Sequence, residues 1–167
     1  SVSRGLGDVY KRQLERLSRE PYRLTMRRGS ARIGTVPDAV QVGPKVCLIN
    51  KYSASDGDLF PWGFRALGLG KLIGTRTWGG IVGISGSLPY MDGTDIRVPF
   101  FTSFDPKTGS WIIENHGVDP DILIDNDPVK EWNGEDQQLD RAIPEVMKQL
   151  QDRKPLPGVP TPRDFSK

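Results

Sequence analysis

The sequence has few of the residues that enzymes most often use. One cysteine among 167 residues excludes a disulfide framework and a zinc site built from several cysteines. One histidine excludes any site that needs two imidazoles. Lysine and arginine outnumber aspartate and glutamate by 23 to 21. This near-neutral balance argues against a nucleic-acid-binding arm and against an acidic tail, so no nucleic-acid partner is expected.

Long apolar runs are also missing. No stretch approaches the roughly 20 apolar residues that a membrane-spanning helix needs, so no membrane partner is expected. No charged segment followed by an apolar one opens the chain, and no signal peptide is visible there. Turn formers are plentiful by contrast, with 19 glycines and 14 prolines. This composition indicates many short elements rather than a helical bundle.

Composition divides the chain into three segments. Residues 1–30 are basic, and residues 1–13 resemble translated sequencing-adaptor sequence, so we exclude them from fold reasoning. The alternative is a solvated basic helix, and a weak helix is predicted at Val9–Leu17. Residues 31–152 hold the main apolar patterns. Residues 153–167 form a proline-rich tail that is predicted to lie extended over the surface.

The clearest local pattern predicts a strand, a helix and a second strand. Apolar and β-branched residues mark a buried strand at Lys45–Asn50. The helix is predicted to begin between Asp56 and Leu59, because Pro61 is tolerated only in a first turn. The second strand is Lys71–Thr75. This order implies a parallel, right-handed crossover, and the whole chain is predicted to be α/β with additional antiparallel hairpins.

Weaker patterns predict the remaining elements. Three short strands are expected at Ser87–Met91, Asp95–Phe101 and Trp111–Glu114. A last helix, from about Glu135 to Asp152, is bent at Pro144 and carries an apolar stripe of Leu139, Ile143, Met147 and Leu150. The segment Asp119–Asp127 is predicted to be a solvated acidic connector, since the irregular spacing of its four aspartates, with no histidine or cysteine within the segment, argues against a metal site. Cys47 is predicted to be a small core residue.

Ser55 stands at the junction between the first strand and the helix. A nucleophilic serine needs an exposed hydroxyl on a sharp turn and nearby N–H groups for an oxyanion, and a helix N-terminus supplies such donors. The N–H of Asp56, the next residue, is the natural donor. Gly57 would let a ligand approach the backbone closely. The pattern alone leaves an ordinary alternative open, because serine and aspartate before a helix are commonly N-caps.

Three segments, in this order, resemble the tricorn-type serine peptidases, which belong to the family that includes the C-terminal processing (tail-specific) proteases. The segments are Asn50–Phe60, Leu67–Gly80 and Ile113–Asp121, and the resemblance covers about residues 40–152. It implies an α/β fold of the ClpP/crotonase-like type, incomplete at its N-terminus. It also implies a serine endopeptidase that acts on peptides, assembles as a homo-oligomer and needs no metal or organic cofactor.

The resemblance further implies a catalytic tetrad of serine, histidine, a second serine and glutamate. Ser55 falls at the nucleophile position, and Asp56 at the position whose N–H helps to hold the oxyanion. Glu114 falls at the carboxylate that anchors the second serine, which in turn orients the histidine. The histidine, the second serine and a glycine oxyanion donor lie upstream in this family. The chain is therefore expected to be a C-terminal fragment, inactive without the missing N-terminal part of the same polypeptide.

Two other catalytic arrangements were weighed. The sole histidine, His116, is interpreted as a turn or packing residue, although a Ser55–His116–Asp119 triad stays open. A serine–lysine mechanism is disfavoured, because Thr75–Gly80 contains no lysine and Lys71 is a poor substitute. The tricorn branch of the family is therefore favoured.

The glycine-rich segment after the second strand is a candidate substrate-binding edge. An extended peptide can add as a strand to an exposed sheet edge, and glycines permit close approach. The predicted contacts are Gly79, Gly80, Gly83 and Ile84, of which the resemblance indicates the last two. An ordinary glycine-rich loop is the alternative.

A non-enzymatic function also stays open: a crotonase-like domain used for assembly or peptide capture. The cellular compartment is unknown. The resemblance implies the cytoplasm, but a signal peptide of a bacterial homologue would lie upstream, so a periplasmic or secreted location is not excluded. Substrate preference is set largely outside this segment.

Overall fold

The computed structural model describes residues 9–30 and 32–161. The first eight and last six residues, which include parts of the excluded opening and of the tail, lie outside the described residues. Within the described ranges the elements are α1 Val9–Leu17, β1 Arg23–Met26, β2 Ile33–Val36, β3 Val46–Ile49, α2 Asp56–Ala66, β4 Lys71–Gly74, β5 Gly83–Pro89, β6 Asp95–Phe101, β7 Ile122–Leu123, α3 Pro128–Trp132 and α4 Gln137–Gln151. None of these helices is long and apolar enough to cross a membrane.

A three-stranded parallel sheet, ordered β3-β4-β7, positions the other elements. β3 and β4 pair in parallel over all four residues of each strand, and α2 connects them, which confirms the predicted crossover. β7 pairs in parallel with the other side of β4. That two-residue strand lies within the predicted acidic connector, so the connector is not wholly irregular. The α/β prediction is confirmed.

The core lies between this sheet and the helices α1 and α2. Leu72 of β4 is completely buried, and Ile49, Phe64 and Val118 are nearly so. Leu14 of α1 joins this cluster. Helix α1 has the predicted bounds and contributes to the core. Its first five residues, 9–13, belong to the segment that was excluded from fold reasoning. Because they form part of this helix, the fold has to include them.

Trp111–Glu114 is not a strand, contrary to the prediction. Trp111 forms an isolated bridge with Phe104. The chain then turns, because the N–H groups of His116 and Gly117 both donate to the carbonyl of Ile113, at 3.1 and 2.8 Å. The apolar run therefore leads into a tight turn, and that turn sets the direction of the Glu114 side chain.

The last helix has close to its predicted span and continues through Pro144, but its orientation differs from the one that its pattern indicates. Its apolar stripe (Leu139, Ile143, Met147 and Leu150) is 46–52% exposed. Gln138, Ala142 and Glu145 are buried instead. An ion pair of 2.8 Å between Glu145 Oε1 and Lys71 Nζ joins the buried face of α4 to β4.

Two antiparallel hairpins complete the fold. β1 and β2 were not predicted, nor was α3. β6 has its predicted bounds, whereas β5 begins at Gly83, four residues earlier than predicted. Gly83 and Ile84 are therefore strand residues rather than loop residues. The described part of the tail, residues 153–161, has neither helix nor strand, and Pro157–Pro160 share a cavity wall with the β1–β2 hairpin.

Candidate active site

Ser55 is the N-cap of α2 and connects β3 to the helix through a sharp turn. Its φ is 57° and its ψ is −112°. This left-handed backbone costs a residue with a side chain about 1–3 kcal/mol, and such strain concentrates at functional sites. The Ser55 residue is exposed. The turn therefore holds the hydroxyl in an accessible position at the positive end of the helix.

The helix begins at Asp56, as predicted, and its first turn is well ordered by hydrogen bonds. The N–H of Gly57 donates to the carbonyl of Ala54 at 2.8 Å, and the N–H of Leu59 donates to the carbonyl of Ser55 at 3.0 Å. Beside this turn lies a surface cavity of about 310 Å³, with Asp56 and Gly57 in its wall. Asp56, whose N–H is the predicted oxyanion donor, is thus the first residue of the helix.

Asp58 is a site residue that the sequence reasoning missed. Its side chain has no exposed area, and it accepts three backbone hydrogen bonds. Oδ2 accepts from the N–H of Ser55 at 2.8 Å and from that of Gly80 at 3.2 Å, and Oδ1 accepts from that of Gly79 at 2.7 Å. The bond to Ser55 is half of a capping box, which a serine followed three residues later by an acid can signal. The bonds to the glycines have no local sequence signal.

Glu114 makes a parallel set of contacts. Its Oε2 accepts from the N–H groups of Ile81 and Val82, at 2.7 and 3.0 Å, and the residue is half-buried. With Asp58, it satisfies four consecutive backbone N–H groups of the glycine-rich loop, residues 79–82. The two carboxylates therefore determine the path of the loop toward β5.

The glycine-rich loop is interlocked with the turn after Glu114. Gly79 has φ +90°, and a Cβ there would lie 2.5 Å from the nitrogen of Gly117. Gly117 has φ +84°, and its Cβ would lie 2.3 Å from the carbonyl oxygen of Thr77. The carbonyl of Gly79 accepts from the N–H of Asn115 at 2.7 Å. Only glycine fits at these two contacts, so the loop and the turn form one unit.

The predicted substrate-binding residues divide into two groups. Gly79 and Gly80 donate their N–H groups to Asp58, so these donors are occupied within the protein. Gly83 and Ile84 begin β5, and Ile84 is 59% exposed. Within the described residues β5 pairs only with β6, which leaves its other edge open.

His116 lies on the surface, where its Nε2 is 2.7 Å from Asp119 Oδ2. Arg65 Nη2 donates to the carbonyl of Asp119. Arg65 is ten residues beyond Ser55 on α2, a rise of about 15 Å. The cavity beside the imidazole is walled by the second half of α2, by Asp105 and by residues 113 and 116–119, and Ser55 is not part of its wall. Among the hydrogen bonds of the described residues, the imidazole pairs with Asp119 and none joins it to Ser55, so the alternative Ser55–His116–Asp119 triad is not formed in this structure.

Two further side chains are unsuited to act as the base or nucleophile here. Lys71 Nζ is engaged by Glu145 on α4. Cys47 packs against the core, as predicted, and burial raises the pKa of its thiol to about 12. The thiol is therefore protonated at neutral pH. Among the residues described, no group of three or more histidine, cysteine, aspartate or glutamate side chains is placed to hold a metal ion.

Comparisons with known proteins agree with this architecture. The Tricorn protease of Thermoplasma volcanium is 46% identical over 112 residues, which are 67% of this chain and 11% of that protein. Tricorn protease homolog 1 of Streptomyces coelicolor is 37% identical over 149 residues, 88% of this chain and 14% of that protein. A crystal structure of the tricorn protease superposes with a TM-score of 0.78 at 37% identity, covering 88% of this chain and 14% of that one.

These comparisons confirm the resemblance and the fold class. The chain spans only 11–14% of the length of the relatives named above. The family model described as "Peptidase family S41" matches residues 7–124, which is more than half of the chain. The chain therefore belongs to peptidase family S41.

Proposed function

We propose that the chain carries the nucleophile of a serine endopeptidase, and that this nucleophile is Ser55. The backbone of Ser55 is the observation that supports this most strongly. An N-cap residue ordinarily has β-region dihedral angles, so capping alone does not require φ 57°. Strain of this kind, at an exposed hydroxyl on a helix N-terminus, is typical of an activated nucleophile on a tight turn. The names of the relatives, which are proteases, support the same reading.

The proposed reaction forms and then hydrolyses an acyl-enzyme. The Ser55 Oγ attacks the carbonyl carbon of the scissile peptide bond, and the carbonyl oxygen becomes an oxyanion. The N–H of Asp56 and the dipole of α2 stabilise that charge. The general base takes the proton of Ser55 Oγ during the attack and gives it to the leaving amine as the C–N bond breaks. In the second step the base takes a proton from water, whose oxygen attacks the acyl carbon, and returns that proton to Ser55 Oγ as the acyl group leaves.

Glu114 is proposed to anchor a second serine, as the resemblance implies. The N–H groups of Ile81 and Val82 both donate to Oε2 of Glu114. Among the hydrogen bonds of the described residues, none is donated to Oε1 of Glu114. That oxygen could accept a serine hydroxyl, which would then orient the imidazole of the general base.

The substrate is proposed to be an extended peptide that pairs with the open edge of β5 near Gly83 and Ile84. Backbone hydrogen bonds at a free strand edge bind a peptide largely without regard to its sequence. Because the amides of Gly79 and Gly80 are occupied by Asp58, their contribution is proposed to be a close-packed backbone surface rather than N–H donors.

The general base is proposed to lie in another part of a longer polypeptide. His116 is engaged with Asp119 on the surface, and the chain covers a small share of the relatives' length. Homo-oligomerisation is part of this proposal, and light scattering on that longer polypeptide measures it.

Fluorogenic peptide turnover tests the proposed function. In the longer polypeptide, Ser55→Ala is expected to reduce kcat by about 10⁴- to 10⁶-fold, whereas Ser53→Ala, two residues away, is expected to change it less than about tenfold. The 167-residue chain alone is expected to show no turnover that depends on Ser55. Turnover that survives Ser55→Ala would contradict the nucleophile assignment, and Ser55-dependent turnover by the chain alone would contradict the external base.

A further inference from the structure

We infer that Asp58 is a positioning residue that locks the nucleophile turn and the glycine-rich loop into one rigid unit. The inference rests on the proposed function only for the identity of Ser55 as the nucleophile. The coupling itself is a property of the described contacts. It joins Ser55 to a loop that lies more than twenty residues further along the chain.

The contacts of Asp58 are those of a connector rather than of a simple helix cap. Oδ2 is shared between the N–H groups of Ser55 and Gly80, and Oδ1 accepts from Gly79. A second link runs in the same direction, because the N–H of Trp78 donates to the carbonyl of Ser53 at 2.9 Å. Three hydrogen bonds, from Trp78, Gly79 and Gly80, thus join the two segments, and a fourth, from the N–H of Ser55, ties the turn to Asp58.

A carboxylate is the side chain that this arrangement requires. Both oxygens of Asp58 are acceptors, and all three donors approach a group with no exposed area. An asparagine of the same shape has only one acceptor oxygen, so its NH₂ group would face at least one backbone N–H. Water cannot compensate at a buried position, and unpaired donors there are unfavourable.

The coupling has a direct consequence for the proposed reaction. The N–H of Ser55 is fixed from the inside, and the left-handed backbone that aims its hydroxyl is fixed with it. Glu114 accepts hydrogen bonds from the N–H groups of Ile81 and Val82, the next two residues of the same loop. The turn that carries Ser55 and the side chain of Glu114 are therefore both held against this loop. Loosening this support misplaces Oγ without removing any group that contacts the substrate, and misplacement by about 1 Å can cost 10²-fold in rate.

The first test uses the 167-residue chain and nuclear magnetic resonance. A through-hydrogen-bond experiment on the unsubstituted chain should show scalar coupling between the Gly79 amide nitrogen and the Asp58 carboxyl carbon. Asp58→Asn should shift the amide protons of Ser55, Gly79 and Gly80 upfield and speed their hydrogen exchange. Glu114→Gln is the matched control.

Glu114→Gln should shift the amide protons of Ile81 and Val82 and leave the chemical shifts of the three amides bonded to Asp58 nearly unchanged. Absence of the scalar coupling, or unchanged amides in Asp58→Asn, would overturn the inference. The scalar coupling needs no variant, so the test stands even where Asp58→Asn fails to fold.

The second test measures peptide turnover by the longer polypeptide. Asp58→Asn is expected to lower kcat about 10²-fold and to raise KM by a smaller factor, because the misplaced Oγ slows the reaction itself while the loosened Gly79–Gly80 backbone only weakens peptide binding. If Asp58→Asn shifted the three amide protons but left kcat unchanged, Asp58 would have a purely structural role, and the claim that it positions Ser55 for the reaction would be overturned. If Ser55→Ala retained turnover, the proposed nucleophile would be wrong, while the amide measurements would still decide the coupling.

Discussion

The contact between Gly79 and the turn at Gly117 can be tested by adding one methyl group. Gly79→Ala places a Cβ 2.5 Å from the nitrogen of Gly117 and 2.8 Å from backbone atoms of His116, and backbone cannot rotate away as a side chain can. The left-handed φ of +90° adds about 1–2 kcal/mol. Separating the loop from the turn loses one or two hydrogen bonds, about 1 kcal/mol each. We expect Gly79→Ala to lower the free energy of unfolding by about 2–4 kcal/mol.

Urea denaturation, followed by tryptophan fluorescence, measures this loss. Gly109→Ala is the matched control, because Gly109 also has a left-handed φ, of +69°, but a Cβ there meets nothing within 4 Å. The control should cost only the backbone strain of about 1–2 kcal/mol. The difference between the two variants isolates the close contact. If Gly79→Ala cost no more than Gly109→Ala, the loop and the turn would not be interlocked.

Three further predictions concern the core and its ion pair. Because burial raises the pKa of the Cys47 thiol to about 12, alkylation by iodoacetamide should be slow in the folded chain and should accelerate in urea; fast labelling of folded protein would contradict this. The hydrogen bond from Lys71 lowers the pKa of Glu145 below 4.5, so the stability advantage over Glu145→Gln should be full above that pH and shrink as pH falls through the lowered pKa. Urea denaturation at several pH values measures this, and a difference in unfolding free energy between the unsubstituted chain and Glu145→Gln that did not change with pH would contradict it. Leu72→Ala should cost about 2–5 kcal/mol of unfolding free energy and Leu123→Ala, at an exposed position, much less; equal losses would contradict the placement of the core.

The elements with strong local signals were predictable from sequence. The apolar run of β3 and the periodic pattern of α2 placed Ser55 at a strand–helix junction, and the structure has α2 beginning at Asp56. Lys71–Gly74 paired in parallel as the strand–helix–strand order requires. These predictions depended on neighbours close in sequence. The left-handed φ of Ser55 did not follow from them, since serine rarely adopts it.

Features that depend on distant contacts were missed. The apolar run before Glu114 reads as a strand, but the interlock with Gly79 pulls that segment into a turn. The stripe of α4 reads as a buried face, but Gln138, Ala142 and Glu145 on another side of the helix are buried instead, and there Glu145 pairs with Lys71 of the sheet. Periodicity shows that a helix has two faces and does not show which one the sheet covers.

The candidate site shows the same division. Ser55, Asp56 and Glu114 could be named from motifs, and their roles stay predictions. Asp58 was not predicted as a site residue. Its capping relation to Ser55 was readable from the spacing of three residues. Its bonds to Gly79 and Gly80 required the fold, because nothing local in the sequence brings the loop to the helix.

The most direct measurement of the central claim is covalent labelling of the nucleophile. The longer polypeptide would be treated with a fluorophosphonate, digested, and mapped by mass spectrometry, with Ser55→Ala as the control. We predict one phosphonate adduct on the peptide that contains Ser55, loss of peptide turnover in proportion to labelling, and no adduct in the control. An adduct at another residue, or full turnover after Ser55 is labelled, would contradict the assignment.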